Sequence, residues 1–295
     1  MTIDATALSW ESSLTSWNRG LACLVAGVLV TRSSEASDRV PADLLAAARA
    51  VLDATGLDPA GAPPGAQLEA SLLQAAGIIN PSGFSWLDQT DEALLAQGLA
   101  SARTAVLMAR HVLPRLEGLT SRLTQPGAAI LDVGTGVAAL AAALAQEYPA
   151  VTVTGLDVSE RVLSLASTTL AAHPAAERVQ LRVQDVATLD EPDRYDLAWI
   201  PAPFIPPAAL HAGVRTVAAG LHPGGWLLLG HGRLPDHDPL EAAVTRFVTT
   251  AYGGTALTDA EAEMLLRGAG LSDVTTVPTP LLAPSLTAAR RPVNG

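Results

Sequence analysis

"ILDVGTGVAAL", residues 130–140, is an apolar run that puts Asp132, Gly134 and Gly136 where a strand should turn into a helix. In an open parallel sheet, ligands bind beyond the carboxyl ends of the strands, where strand order reverses. Gly134 and Gly136 allow a tight turn and a close approach of ligand to backbone. The free N–H groups at the start of the next helix suit an anionic or electron-rich group. The spacing Gly134-x-Gly136-x-x-Ala139 also satisfies the dinucleotide pattern G-x-G-x-x-G/A. From the turn alone, a methyl donor and a dinucleotide stand level as ligands.

The sequence around this corner has the rhythm of a parallel sheet. "AAILDVG" (128–134), "VTVTGLD" (151–157), "VQLRVQD" (179–185), "YDLAWIP" (195–201) and "GGWLLLGH" (224–231) are strand candidates, separated by helical stretches such as 136–149 and 158–173. Alternation at that spacing implies right-handed crossovers and a sheet covered on both faces. The tail differs. "TDAEAEMLLRGAG" reads as a capped helix closed by glycine, followed by "DVTTVPTP" and "SLTAARRP" as two strands with a short connection around 281–284. That connection is too short for a parallel crossover, so the last two strands should be antiparallel neighbours.

Three carboxylates end three successive strands. Asp132 precedes the first glycine by two residues, where it would oppose a pyrophosphate but suit a ligand with a positive group. Asp157, in "GLDVS", lies 21 residues after Gly136, the position from which a carboxylate takes both hydroxyls of a ribose. Asp185, in "VQDVA", is placed to accept from an exocyclic amine of adenine. One such acid alone is readily a helix cap; three in succession are hard to explain that way.

With these motifs the carboxyl-terminal part, residues 126–295, resembles a class I S-adenosylmethionine-dependent methyltransferase. "LDVGTGVA" is similar to the first motif of that family, "GLDVS" to the second and "VQDVA" to the third. "YDLAWIPAPF" is similar to the fourth, and "LHPGGWLLLG" to the strand that follows a proline–glycine turn. The resemblance implies an α/β, Rossmann-like seven-stranded sheet with its last strand antiparallel, preceded by an α-helical region. It implies S-adenosyl-L-methionine as cofactor and S-adenosyl-L-homocysteine as product. By position, Asp132, Gly134, Thr135 and Gly136 would surround the methionine part. Asp157 would hold the ribose, Val158 would lie against the adenine, and Asp185 with Val186 would bind the adenine rim. Pro201 would border the cofactor and Phe204 the substrate pocket. The family's third glycine is here Ala138.

Residues 1–125 have a different texture. Alanine and leucine recur at helical spacing, as in "PADLLAAARAVLDATGL" (41–57), and "LDPAGAPPGA" (57–66) breaks the pattern. Residues 88–116 read as one long helix capped by Thr90 and kinked or ended by Pro114. The run "GLACLVAGVLV" (20–30) has 11 residues, against the ~20 needed to span a bilayer, and reads as a buried helix or strand. The whole region is expected to be a lid, a substrate-binding cover or a dimerisation region.

Composition narrows the partners. A net charge of −11 disfavours nucleic acid and anionic membranes, and a single cysteine excludes an internal disulfide or a cysteine-rich zinc site. The expectation is a cytoplasmic enzyme with a small, hydrophobic or aromatic substrate, no metal, and a homodimer formed through the amino-terminal helices. Oxygen is favoured as acceptor, with nitrogen or carbon possible. In plant-type O-methyltransferases a histidine follows the fourth strand, whereas "IPAPF" (200–204) has no titratable group there. That stretch loosely echoes the Asn/Asp-Pro-Pro-aromatic loop of amino-methylating relatives, without its first polar residue. His231, ending the fifth strand, and His237, in the loop after it, are therefore the candidate bases. His111, His173, His211 and His222 read as structural. A nicotinamide oxidoreductase and a non-catalytic S-adenosylmethionine-binding protein remain the alternatives.

Overall fold

A computed structural model describes residues 10–34, 40–62, 65–79, 85–235, 238–279 and 285–293. The chain divides into two compact units, residues 1–72 and 73–295.

In the first unit, α1 (Trp10–Ser34) packs against α2 (Ala42–Thr55). Ala26, Ala48 and Leu52 form the buried contact, with Leu29, Val30 and Val51 beside it. Gly27 lets the chain return closely, because a Cβ there would lie 2.8 Å from that of Ala62. Gly56, in the left-handed region at φ 69°, ends α2. The apolar run 20–30 is indeed helical, but it differs from expectation in two respects. It belongs to a helix long and apolar enough, over Ser13–Thr31, to cross a membrane. It is also buried only at Ala26–Val28, because one small hydrophobic cluster covers only one side of so long a helix.

The helix α3 (Gly65–Ile79) runs across the division between the units. In the second unit, α4 (Asp91–Leu107) begins as anticipated, with the Thr90 side chain accepting from the Ala93 N–H. The expected single helix over 88–116 does not persist. It passes into a π-helical turn at Met108–Val112 and a 3₁₀ turn at Leu113–Arg115, since Pro114 has no N–H to continue the α ladder. A short helix, α5 (Leu119–Leu123), leads into the sheet.

The sheet has seven strands: β1 (Ala129–Val133), β2 (Thr152–Asp157), β3 (Val179–Val183), β4 (Tyr195–Pro201), β5 (Leu221–His231), β6 (Ser272–Val277) and β7 (Ser285–Arg290). Their order is β3-β2-β1-β4-β5-β7-β6. β1 to β5 pair in parallel, while β7 runs antiparallel between β5 and β6. The anticipated seven-stranded sheet with an antiparallel final strand is thus present. Strand order reverses between β1 and β4, the place where sheets of this kind bind ligands beyond the strand ends.

Alternation along β1 fills both faces. Ile130 packs with Leu119, Leu123, Leu144 and Leu163 on one side. Leu131 and Val133 pack with Leu210, Val214 and Leu266 on the other. The helices concerned are α6 (Ala139–Glu147), α7 (Glu160–Leu170), α8 (Pro207–Gly220) and α10 (Asp259–Gly268), with α9 (Pro239–Ala251) between the last two in sequence. Each buried leucine adds about 1.5–3 kcal/mol relative to exposure, which fixes the sheet as a rigid floor. α10 carries the expected cap: Thr258 accepts from the Glu261 N–H, and the Glu261 carboxylate accepts from the Thr258 N–H.

Candidate active site

The turn after β1 owes its shape to backbone conformation. Gly134 and Gly136 have φ of 62° and 57°, a region costly for other residues. Nothing would obstruct a Cβ at Gly136, so its glycine answers to φ rather than to crowding. Ala138 adopts φ 59° as well, at the start of α6. The chain therefore bears a local strain of about 1–2 kcal/mol at a position where glycine would be unstrained.

Two carboxylates face this turn. Asp132 is 1% exposed, and its Oδ2 accepts from the Thr135 hydroxyl at 2.6 Å. Thr135 fits because β2 has Gly155 opposite; a Cβ there would lie 2.8 Å from the threonine oxygen. Burial, assisted by repulsion from Asp157 and opposed by the Thr135 hydrogen bond, pushes the Asp132 carboxyl up to about 7. Asp157 holds the corner itself. Its Oδ2 accepts from the Gly136 N–H at 3.1 Å and its Oδ1 from the Ser159 N–H at 3.0 Å. Burial raises its pKa too, while those backbone N–H groups act against the rise. A buried acid that resists ionisation is relieved by a cationic ligand. The turn therefore fits a group with positive charge over Asp132 and hydroxyls at Asp157.

The remaining cofactor candidates separate. The Val158 side chain is exposed beside Asp157, open to a flat apolar group. Asp185 lies two residues beyond β3, and its Oδ1 caps a 3₁₀ turn by accepting from the Ala187 N–H at 2.9 Å. Val186 departs from its expected role. Its side chain is buried in the core against α8, where a Cβ on Gly213 would come within 2.5 Å of it. Pro201 borders the turn, with its Cγ 3.7 Å from where a Cβ on Gly134 would stand.

The 3₁₀ turn that follows Pro201 ends at Phe204, a member of an uncharged aromatic cluster. Phe204 stacks on Tyr252 with ring centroids 5.5 Å apart, and Trp86 meets Phe204 at 4.8 Å and Tyr252 at 5.4 Å. The backbone N–H of Trp86 donates to the Tyr252 carbonyl at 3.1 Å. The Tyr252 hydroxyl donates to Gln74 Oε1 at 2.6 Å, and Gln74 donates onward to Gln97 Oε1 at 2.7 Å. Burial pushes the Tyr252 phenol up to about 12, so it remains a donor.

A methyltransferase domain model matches residues 130–225, which contain this turn and the strands that build it. Residues 130–225 therefore carry a methyltransferase domain, and the motifs and strand order around it fit the class I S-adenosylmethionine-dependent methyltransferases. A release factor glutamine methyltransferase of Cereibacter sphaeroides is 34% identical over 146 residues, covering 40% of this chain and 52% of that protein. Its counterpart in Koribacter versatilis is 32% identical over 130 residues, 35% of this chain and 46% of its own length. The chain thus spans about half the length of these curated relatives. An O-methyltransferase family protein from Burkholderia thailandensis has the same fold across 98% of this chain and 100% of its own, with a TM-score of 0.63 at 17% identity.

The two histidines expected to serve as bases fare differently. His231 is fully buried, and the structure gives it a structural place instead. Its Nε2 meets the Thr287 hydroxyl at 3.0 Å and its Nδ1 the Gly232 carbonyl at 3.3 Å. With Nδ1 facing an acceptor and Nε2 facing a hydroxyl, no ring nitrogen is open to receive a proton from a substrate. Burial also lowers its pKa. His237 lies outside the described residues.

Several residues that shape this region escaped the motifs. Trp86 and Tyr252 are far apart in sequence and belong to no local pattern. Their signal was scarcity: with three Phe, three Tyr and five Trp in the chain, three aromatics in one cluster are informative. Gly98 gave no signal either, yet a Cβ there would lie 2.1 Å from Val137, and its absence seats α4 on the cofactor turn.

Proposed function

We propose that the methyltransferase transfers a methyl group from S-adenosylmethionine to a small, apolar or aromatic molecule. The observation that carries this reading is the uncharged aromatic cluster of Trp86, Phe204 and Tyr252, in which Trp86 also packs with Val137 of the turn. Asp132, Gly134, Thr135 and Gly136 would hold the methionine part, Asp157 the ribose, and Val158 with Asp185 the adenine end. The cofactor supplies an electrophilic methyl on sulfur; the protein supplies position and dryness, which for an in-line displacement account for much of the acceleration. Aromatic rings orient a flat acceptor.

Oxygen is the acceptor this reading favours, since the fold likeness to an O-methyltransferase family protein extends through the helical part. His237 is then the remaining histidine for proton removal. Methylation of a protein glutamine, the activity named for the curated relatives, is less favoured because the loop after β4 lacks its first polar residue.

The test is calorimetry followed by turnover. S-adenosylhomocysteine should bind in the micromolar range and NAD not at all. A panel of phenols, amines, keto acids and indoles should then yield S-adenosylhomocysteine from the donor with at least one member. Tight NAD binding without donor binding would return the protein to the oxidoreductases, and donor binding without turnover on any class would leave a non-catalytic binder.

The same reading includes a homodimer formed through α1. Leu14, Trp17, Leu24 and Val25 are 60%, 53%, 40% and 39% exposed and recur at helical spacing. Light scattering should give twice the chain mass, and Trp17→Glu should reduce it to one chain while donor binding stays. A monomer at micromolar concentration ends the dimer proposal.

A further inference from the structure

Ser159 and Arg161 begin the helix that leaves the ribose-side acid. Ser159 caps α7 by accepting from the Val162 N–H, and its own N–H donates to Asp157. The guanidinium of Arg161 then reaches across to the segment before α4. It donates to the Leu87 carbonyl at 3.0 Å and the Gln89 carbonyl at 2.9 Å, and pairs with Asp91. This segment contains Trp86, the member of the aromatic wall most distant in sequence from the sheet motifs.

A hydrophobic contact runs parallel to the polar one. Leu94 of α4, Val137 of the cofactor turn and Val162 of α7 form one buried cluster, and Trp86 packs against it. Gly98 brings α4 close enough for this contact. The 85–91 segment is therefore held to the donor side twice, once through a three-acceptor fork and once through packing.

We propose that Arg161 is a positioning residue that transmits occupancy of the donor site to the acceptor wall by fixing residues 85–91 onto the first turn of α7. Its reach starts from Asp157. That carboxylate holds both the Gly136 and Ser159 N–H groups, so a ligand that engages it immobilises the turn and the start of α7 together. Arg161, two residues beyond Ser159, carries the constraint to Leu87 and Gln89, and Trp86 sets it against Phe204 and Tyr252. A planar fork that grips two carbonyls and a carboxylate suits this task; a lysine, with one point charge, does not. The consequence is ordered assembly: donor first, acceptor pocket second. The inference rests on donor binding at Asp157, as the preceding reading has it.

The experiment is amide hydrogen exchange on the full chain, with and without S-adenosylhomocysteine, beside calorimetry of the same samples. In the wild type the ligand should slow exchange of 85–91 by about tenfold, as expected when a low-stability segment is tied down. In Arg161→Ala and Arg161→Lys the ligand should bind within about threefold of wild-type affinity but leave exchange of 85–91 unchanged, because the fork is gone. Asp91→Asn keeps the two carbonyl contacts and should keep the response. Arg161 variants that exchange faster throughout yet still respond to ligand would mean a merely structural role and overturn the proposal. Bound ligand with no response in the wild type would overturn it equally. No binding in the wild type would overturn the donor reading and this inference together, and calorimetry distinguishes that case.

Discussion

Asp157→Ala is expected to weaken binding of S-adenosylhomocysteine by about 30-fold to nearly 1,000-fold, a loss on the order of 2–4 kcal/mol. Two effects add. The ribose hydroxyls of the proposed donor would lose a charged acceptor, and hydrogen bonds to charged groups are the stronger class. The Gly136 and Ser159 N–H groups also lose the carboxylate that positions them, so the turn itself loosens. Asp157→Asn keeps one oxygen acceptor and should fall between. Calorimetry on each variant, with circular dichroism and a melting curve to establish folding, reads the effect. A folded Asp157→Ala protein with wild-type affinity would remove this residue from the site.

Much of the sheet was legible because its causes are local. Five apolar runs, two glycines at positive φ and a capping box at Thr258 each act within a few residues, and each appears where the sequence put it. The antiparallel placement of β7 followed from a connection too short to cross over. The acids at strand ends were legible for the same reason, because Asp132 and Asp157 meet the turn through contacts set by the strands that bear them.

What stayed hidden depends on long-range contact. The direction of a side chain after a strand is one example: Val186 follows Asp185 in the motif, but the 3₁₀ turn that Asp185 caps rotates Val186 into the core over Gly213. His231 is another. Its position at the end of β5 suggested access to substrate, yet the antiparallel neighbour β7 brings Thr287 to its Nε2, Asp259 lies 3.8 Å from the same nitrogen, and the ring is fully buried. The wall of Trp86, Phe204 and Tyr252 joins three separate segments, so no window of sequence contains it. Apolar periodicity marked the front helices as amphipathic but carried no information about which partner each face would meet.

Asp132 should make both stability and donor affinity depend on pH. Its folded pKa of about 7 lies well above the ~3.9 of an unfolded aspartate. The ligand-free fold therefore keeps a proton that the unfolded chain has released. For a group raised in this sense, stability is fully present below pH ~4, declines as pH rises, and has been lost once pH passes about 7. Three pKa units correspond to a loss on the order of 4 kcal/mol. Asp157, raised by burial, slopes the same way, whereas His231, lowered by burial, destabilises the fold on the acid side. Comparison with Asp132→Asn isolates the one group, because asparagine can still accept from Thr135 but does not titrate in this range. Urea unfolding between pH 5 and 8 should show the variant gaining on the wild type as pH rises. A ligand bearing an ammonium or sulfonium favours the ionised carboxylate, so binding near pH 7 should release a fraction of a proton and tighten toward pH 8. Calorimetry in two buffers of different ionisation enthalpy counts that proton directly. Parallel unfolding curves for the two proteins, with no proton released by the wild type on binding, would mean that Asp132 is ionised throughout and that its burial is compensated by a partner other than the donor.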